Sequence, residues 1–428
     1  MAASKLQLGS SNAAARKANA LFLAGRRMIE MSRFHAGFFT CSPVLLVFAF
    51  KFSEESLMLQ KALILVFAVA GIAGCVGCST TSHYVYATLP AANELAVYRE
   101  DPFSGTLTEL AGTPYTIGDG AHSVVIHPSG KFLYVANPGQ NENDISLFDI
   151  LSNGYLNEIP PRTTVAPNGT QPALLAMDPA GNYLYVMNTG SDNISVFSID
   201  STGGLTQVPN SPFFIGLTPL NMVLTPSGDF LYVSVAGGQI GTSNGSILGF
   251  SVSSGALQLL NPPLTSADGV NPNGLVIDPS GSYMYVANTQ SDSISIFAIS
   301  PPNTPPGTLQ QVIGSPLDDI YSDPFALLLD PKGQFLYVAN QGSSNVAVYS
   351  IDSTTGLPTA LTTSTSAFAF TTEGSPSFLV EDPNGNYLFV GNQGSSAGIQ
   401  AFGVNSGNLN PLLTYAVGNT PSSIAVAP

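Results

Sequence analysis

Basic residues are scarce in this chain. It carries 12 Lys and Arg against 27 Asp and Glu, a net charge of −15 over 428 residues. Nucleic-acid binding on the phosphate backbone needs a positive face, so that class is excluded. Charged residues of both signs make up only 9% of the chain and hydrophobic ones 44%. Disordered chains show the reverse balance. Tryptophan is absent and cysteine occurs three times. No convincing helical period appears anywhere. What is plentiful is turn residues: Gly 42 and Pro 32, spread along the chain, as in an all-β protein with many short strands.

The few basic residues are also unevenly placed. Residues 1–74 hold eight of the twelve, leaving Arg99, Lys131, Arg162 and Lys332 to face 24 of the 27 acids. Such asymmetry sets the N-terminal segment apart from the folded body. Within it, Ala62–Gly74 is an uncharged run of thirteen residues behind Lys61. A membrane span takes about 20 such residues, so this run fits the apolar region of an export signal instead. It ends Ile72-Ala73-Gly74-Cys75, which resembles a bacterial lipobox. That resemblance implies cleavage before Cys75 and acylation of Cys75. Membrane lipid is then a partner, and the protein is exported and anchored to the envelope on its periplasmic or cell-surface side. Met58 can open this signal. The expected organisation is an extension over 1–57, a lipoprotein signal over 58–74, a tether over 75–82 and the folded domain over 83–428. Cys41 falls outside that domain and Cys75 is the lipid site, so Cys78 has no disulfide partner.

One phrase recurs after the signal. It reads HPSGKFLYVAN from His127, DPAGNYLYVMN from Asp178 and TPSGDFLYVSV from Thr225. It returns as DPSGSYMYVAN from Asp278, DPKGQFLYVAN from Asp330 and DPNGNYLFVGN from Asp382. Its prolines lie 51, 47, 53, 52 and 52 residues apart, which marks a repeat architecture. Each repeat reads as four strands. A short apolar strand A leads into an Asp-Pro-x-Gly β-turn. Strand B follows, apolar on consecutive positions and so covered on both faces. Strand C alternates, as in Ile194-Ser195-Val196-Phe197, and a Gly-Leu turn opens a more polar strand D.

Four short antiparallel strands per repeat describe a β-propeller blade. His83–Ala87 supplies a strand B without the phrase, and Pro421–Pro428 supplies a strand A without a strand B. Together they complete a seventh blade. The expected fold is all-β: a seven-bladed β-propeller, its ring closed by the C-terminal strand pairing into the N-terminal blade. The phrase, with its I-x-V-F-x-I-D strand C, resembles the lactonase-like propellers, the 6-phosphogluconolactonase and YVTN-repeat family. The resemblance spans residues 83–428.

In propellers the D–A and B–C loops surround the channel mouth on one face. Counting back six residues from each turn proline gives His122, Ala173, Leu220, Asn273, Phe325, Ser377 and Ser422. These seven are expected to ring that mouth. His122 is the candidate catalytic residue, since imidazole can exchange protons near neutrality. Asn273, Phe325, Ser377 and Ser422 are candidate ligand contacts, and Arg162 is the candidate cation for an anionic substrate. His127 occupies the turn position that Asp fills elsewhere and reads as a turn cap. Asn137, Asn188, Asn288, Asn340 and Asn392 recur after strand B and read as structural. Asp318, Asp319 and Asp323 lack the spacing of a known Ca²⁺ loop. No metal or other cofactor is expected.

Two functions compete on this basis. Few catalytic residue types, a lipid anchor and repeated blades favour a non-catalytic binding module for a protein, glycan or other ligand. The alternative is a lactone hydrolase like the namesake of the resembled family.

Overall fold

The computed structural model describes residues 82–139, 142–237, 244–319, 321–361, 369–394 and 397–427. The proposed signal, its lipidation site Cys75 and nearly all of the tether lie outside them. Residues 79–428 form one compact unit of seven antiparallel sheets.

The third blade shows how each sheet is built. Strand A, Pro172–Met177, runs into strand B, Tyr183–Asn188, which pairs with strand C, Asn193–Ile199, and that with strand D, Leu205–Gln207. The A–B turn closes because the Asp178 side chain accepts the Tyr183 N–H and Gly181 N–H donates to the Asp178 carbonyl. Gly181 takes φ +73°, where a side chain is strained, and a Cβ there would also strike His127. His127 itself caps its own turn and reaches the Gly181 carbonyl through Nε2, 3.0 Å away.

Strand B is apolar on consecutive positions because each blade is a slab with a neighbour on either side. Leu184 and Val186 pack against the second blade, whereas Tyr185 and Met187 pack against the fourth. Seven such apolar layers, one between each pair of blades, make up the core. Polar bonds pin the layers. The buried hydroxyls of Tyr86, Tyr134, Tyr232 and Tyr285 donate to Gly154, Gly203, Gly307 and Gly356 carbonyls of the next blade, at 2.8–3.0 Å.

The first blade is assembled from both ends of the domain. Tyr84–Leu89, Glu94–Glu100 and Leu107–Glu109 give strands B, C and D, and Ser423–Val426 gives strand A. Val85 lies opposite Val426 and Thr88 opposite Ser423. His83 Nδ1 bonds the Ala427 carbonyl at 3.1 Å and seals the seam. Strands A of successive blades touch all the way round, Ser423–Val426 lying between Ser375–Glu381 and Val124–Ile126. Each strand A is the terminal strand of its sheet, and its open edge is flanked by the strands A of the neighbouring blades.

One departure from the expected four strands is local. In five blades a second short segment also pairs with strand C, as Phe213–Phe214 does in the third. The chain between the two segments, Val208–Pro212, contains two prolines, and proline cannot donate to a ladder. Ser211 Oγ accepts the Val196 N–H at 2.8 Å and fills the gap, as Ser315 does for Ile296.

Candidate active site

The seven mouth positions are set by a backbone device. In the four blades whose strand A begins with Pro172, Pro219, Pro272 or Pro324, and in the seventh, where Pro376 is the second residue, pairing with strand B slips one residue after the proline. The skipped residues are Ala173, Leu220, Asn273, Phe325 and Ser377. Each is a β-bulge residue, released from the ladder at the rim, where bulges re-aim side chains. His122 and Ser422 stand at the equivalent point just ahead of their strands. His122 N–H donates to Ala136, and Ser422 N–H to Thr88.

His122 is exposed, and three blades fix it. Its carbonyl accepts the Ser422 hydroxyl at 2.7 Å and lies 3.0 Å from the Thr88 hydroxyl, both of the first blade. Its Nδ1 lies 2.9 Å from the carbonyl oxygen of Ala173 in the third blade. A carbonyl only accepts, so Nδ1 carries a proton, and in the neutral imidazole the lone pair is then on Nε2. The other two described histidines have no such freedom. His83 Nδ1 donates to Ala427 and its Nε2 accepts from Asn384, while His127 engages Ser129 and Gly181. His122 alone among them offers an unengaged ring nitrogen.

The remaining candidates separate. Asn273 joins a chain across three blades: Asn221 Nδ2 donates to the Asn273 carbonyl, Asn273 Nδ2 to Thr289, and Thr289 to the Pro324 carbonyl. The bond to Thr289 uses one of the two Asn273 amide hydrogens. Phe325 is half-buried beside Gly274. Ser377 is buried, and its hydroxyl donates to Gly391 of its own blade at 3.3 Å. The Ser422 hydroxyl serves the His122 backbone. Arg162 lies beside strand D of the second blade, three strand spacings or about 14 Å from strand A. Its Nε bonds Glu158 at 2.8 Å and its Nη1 bonds Glu142 at 3.1 Å. Glu142 in turn accepts the Asp119 N–H at 2.7 Å, three residues before His122. The structure thus brings His122 and Ser422 together, leaves Asn273 and Phe325 on the rim farther round, and puts Arg162 in a carboxylate clamp.

Sequence reasoning missed Thr88, Asn221 and Thr289. Thr88 had a faint signal, since strand B of the other blades carries a smaller side chain there: Ala136, Ser234, Ala287, Ala339 or Gly391, with Met187 the exception. The recurrent asparagines are structural: Asn137, Asn188, Asn288 and Asn340 each donate across their B–C hairpin. Asp319 is buried and accepts the Tyr349 hydroxyl, while Asp318 and Asp323 are exposed. Among the described residues no set of three His, Cys, Asp or Glu side chains is arranged for a metal. A cleft of about 640 Å³ lies elsewhere, on the rim between the fourth and fifth blades. Phe230, Leu259, Leu260, Pro305 and Pro306 line it, and its one ionisable side chain is Asp229. It supplies no acid–base pair.

Comparison with known proteins agrees with this architecture. The family model described as "Lactonase, 7-bladed beta-propeller" matches residues 76–214, 220–317, 306–368 and 322–426. A 6-phosphogluconolactonase of Sodalis glossinidius is 25% identical over 350 residues, covering 80% of this chain and 98% of that one. A 6-phosphogluconolactonase of Formosa agariphila is 26% identical over 301 residues, 65% of this chain and 81% of that one. The periplasmic gluconolactonase of Pseudomonas aeruginosa superposes with a TM-score of 0.68 at 18% identity, covering 81% of this chain and 99% of that one. At that identity the likeness shows the fold alone. The relatives overturn the expectation of a non-catalytic binding module, because the proteins this chain matches over most of their length are named for lactone hydrolysis. That expectation took the shortage of catalytic residue types as a sign against chemistry. Opening a lactone demands little of a protein: one base for water and a polar mouth that holds the ring.

Proposed function

This chain belongs to the lactonase family of seven-bladed β-propellers, and from that premise we propose that it hydrolyses a lactone with His122 as the base. The observation that carries this reading is the bond from His122 Nδ1 to Ala173. It turns a lone-pair nitrogen, Nε2, outward at the channel mouth, where a water molecule can be deprotonated. The water oxygen adds to the lactone carbonyl carbon. The bond from that carbon to the ring oxygen then breaks. The proton taken by Nε2 passes to the leaving ring oxygen, so one water is consumed and one hydroxy acid released. Asn273, with its second amide hydrogen, is the rim group suited to a substrate oxygen, and Phe325 offers an apolar wall. Ser422 and Thr88 act on the His122 backbone and are positioning residues. Arg162 steadies the Asp119 loop through Glu142.

We also propose that the protein is exported and held at the membrane through acylated Cys75, on the strength of Ile72-Ala73-Gly74-Cys75.

Lactone hydrolysis is measured with the full chain and with His122→Gln. Loss of the base is expected to lower kcat on the order of a hundredfold, with an unchanged melting temperature. Equal activity in the variant would remove His122 from the chemistry.

A further inference from the structure

The charges around the mouth bear on which lactone can enter. Residues 82–428 contain four basic side chains in all: Arg99, Lys131, Arg162 and Lys332. Three of them are on the face away from the mouth. Lys131 and Lys332 sit in A–B turns, His127–Lys131 and Asp330–Gly333. Arg99 pairs with Tyr84 at the start of strand B, the same end of the blade. Arg162 alone is on the mouth side, and it is spent. Glu158 and Glu142 hold its guanidinium, and its charge also acts on Asp144. One cation among three carboxylates leaves that corner negative.

The loops round the mouth add further carboxylates. Asp119 and Asp323 lie three and two residues before mouth positions, and both are exposed. Asp292 is exposed and accepts the Asp323 N–H at 2.7 Å. Glu373 is exposed on the loop before Pro376. A concave mouth lined by one sign of charge concentrates that field and turns away ligands of the same sign. A phosphate monoester is recognised by Arg or Lys forks, and none is free here.

Resting on the lactone-hydrolase reading, we propose that the substrate is an uncharged lactone and that phosphorylated lactones are turned away at the mouth. The relatives named for a phosphorylated lactone share about a quarter of their residues with this chain, which leaves the loops free to differ. Asp119 is the position where a single change should shift the preference. It is exposed, it precedes His122 by three residues, and its backbone rather than its carboxylate ties down the loop.

The test compares glucono-1,5-lactone with 6-phosphoglucono-1,5-lactone on the full chain. The uncharged lactone should be hydrolysed with a kcat/KM on the order of a hundredfold higher. Raising ionic strength should increase kcat/KM for the phosphorylated lactone and leave the other flat, since salt screens the repulsion. Asp119→Lys should lower KM for the phosphorylated lactone about tenfold without altering turnover of the uncharged one. A preference for the phosphorylated lactone would overturn the substrate assignment and leave lactone hydrolysis standing. Hydrolysis of neither compound would overturn both. A salt response of equal size for the two would remove the electrostatic ground for the assignment.

Discussion

Glu100 stands in the first blade where Ile199 stands in the third. Each closes strand C opposite the first residue of strand D, Glu100 against Leu107 and Ile199 against Leu205. Ile150, Ile299 and Ile351 hold the same register, and Val252 and Val404, one residue before the end of strand C, face Leu257 and Leu409. A carboxyl group therefore occupies an apolar socket. It is fully buried, and neither oxygen has a hydrogen-bond partner among the described residues. Burial pushes its pKa up to about 8, with Asp382 and Asp101 adding to the shift. Glu381, at the end of strand A in the seventh blade, is raised to about 8 by burial, Asp330 and Asp382.

The sign of the pH effect follows from the raised values. Between the unfolded pKa near 4.5 and the folded value near 8, the native state holds protons that the unfolded state has lost. Stability is then greatest below the unfolded pKa and falls as pH rises to about 8. Each pH unit in that window costs about 1.4 kcal/mol per carboxyl. Glu100→Ile should raise stability by roughly 3 kcal/mol at pH 7 and roughly halve the slope between pH 5 and 8, Glu381 keeping its share. Urea melts at several pH values check it, and an undiminished slope would show that Glu100 is not a source of the dependence.

The seam between the seventh and first blades depends on Gly105. Its φ is +64°, and the ring of Tyr387 lies where a Cβ would project. Gly105→Ala combines a strained backbone with an overlap against a packed ring, and the cost should reach about 2–4 kcal/mol. Calorimetry should show a melting point lowered by several degrees. Gly112, also at positive φ but with open space around it, serves as the control, and Gly112→Ala should cost about 1 kcal/mol through the backbone alone.

Anchoring is checked at Cys75. Cys75→Ala should abolish acylation and move the protein from the detergent-extracted membrane fraction into a soluble one. A wild-type N-terminus found unmodified at another residue would refute the anchor.

Much of the fold was written in the repeat itself. The proline of each x-Pro-x-Gly step marked six blades and Pro428 the split one, and counting back from each found the mouth positions, five of which the bulges release. The bulges themselves were not legible, because a pairing slip is a property of two strands and only one carries the proline. His122 could be singled out as the one histidine in the ring. Its tautomer could not, since that depends on a carbonyl 51 residues away. Arg162 looked like a free loop cation because Glu142 reaches it from 20 residues away, and because Glu158, four residues before it, is joined through Pro160-Pro161 rather than a helical turn. Glu100 escaped notice because the first blade lacks the phrase on which the repeats were aligned.

The pairing of Tyr84–Leu89 with Ser423–Val426 also sets an order of events. His83 and Ala427, which bond across that seam, are separated by 344 residues. Bringing such distant segments together is slow, because the intervening chain must be ordered before the contact repays it. The other six blades lie in the chain between those segments, so the first blade closes only when its two ends meet across them. Until then the outer faces of the second and seventh blades are apolar and uncovered, among them Leu133, Val135, Ile399 and Ala401. A half-made ring would carry two apolar sides, the kind of surface through which partly folded chains aggregate.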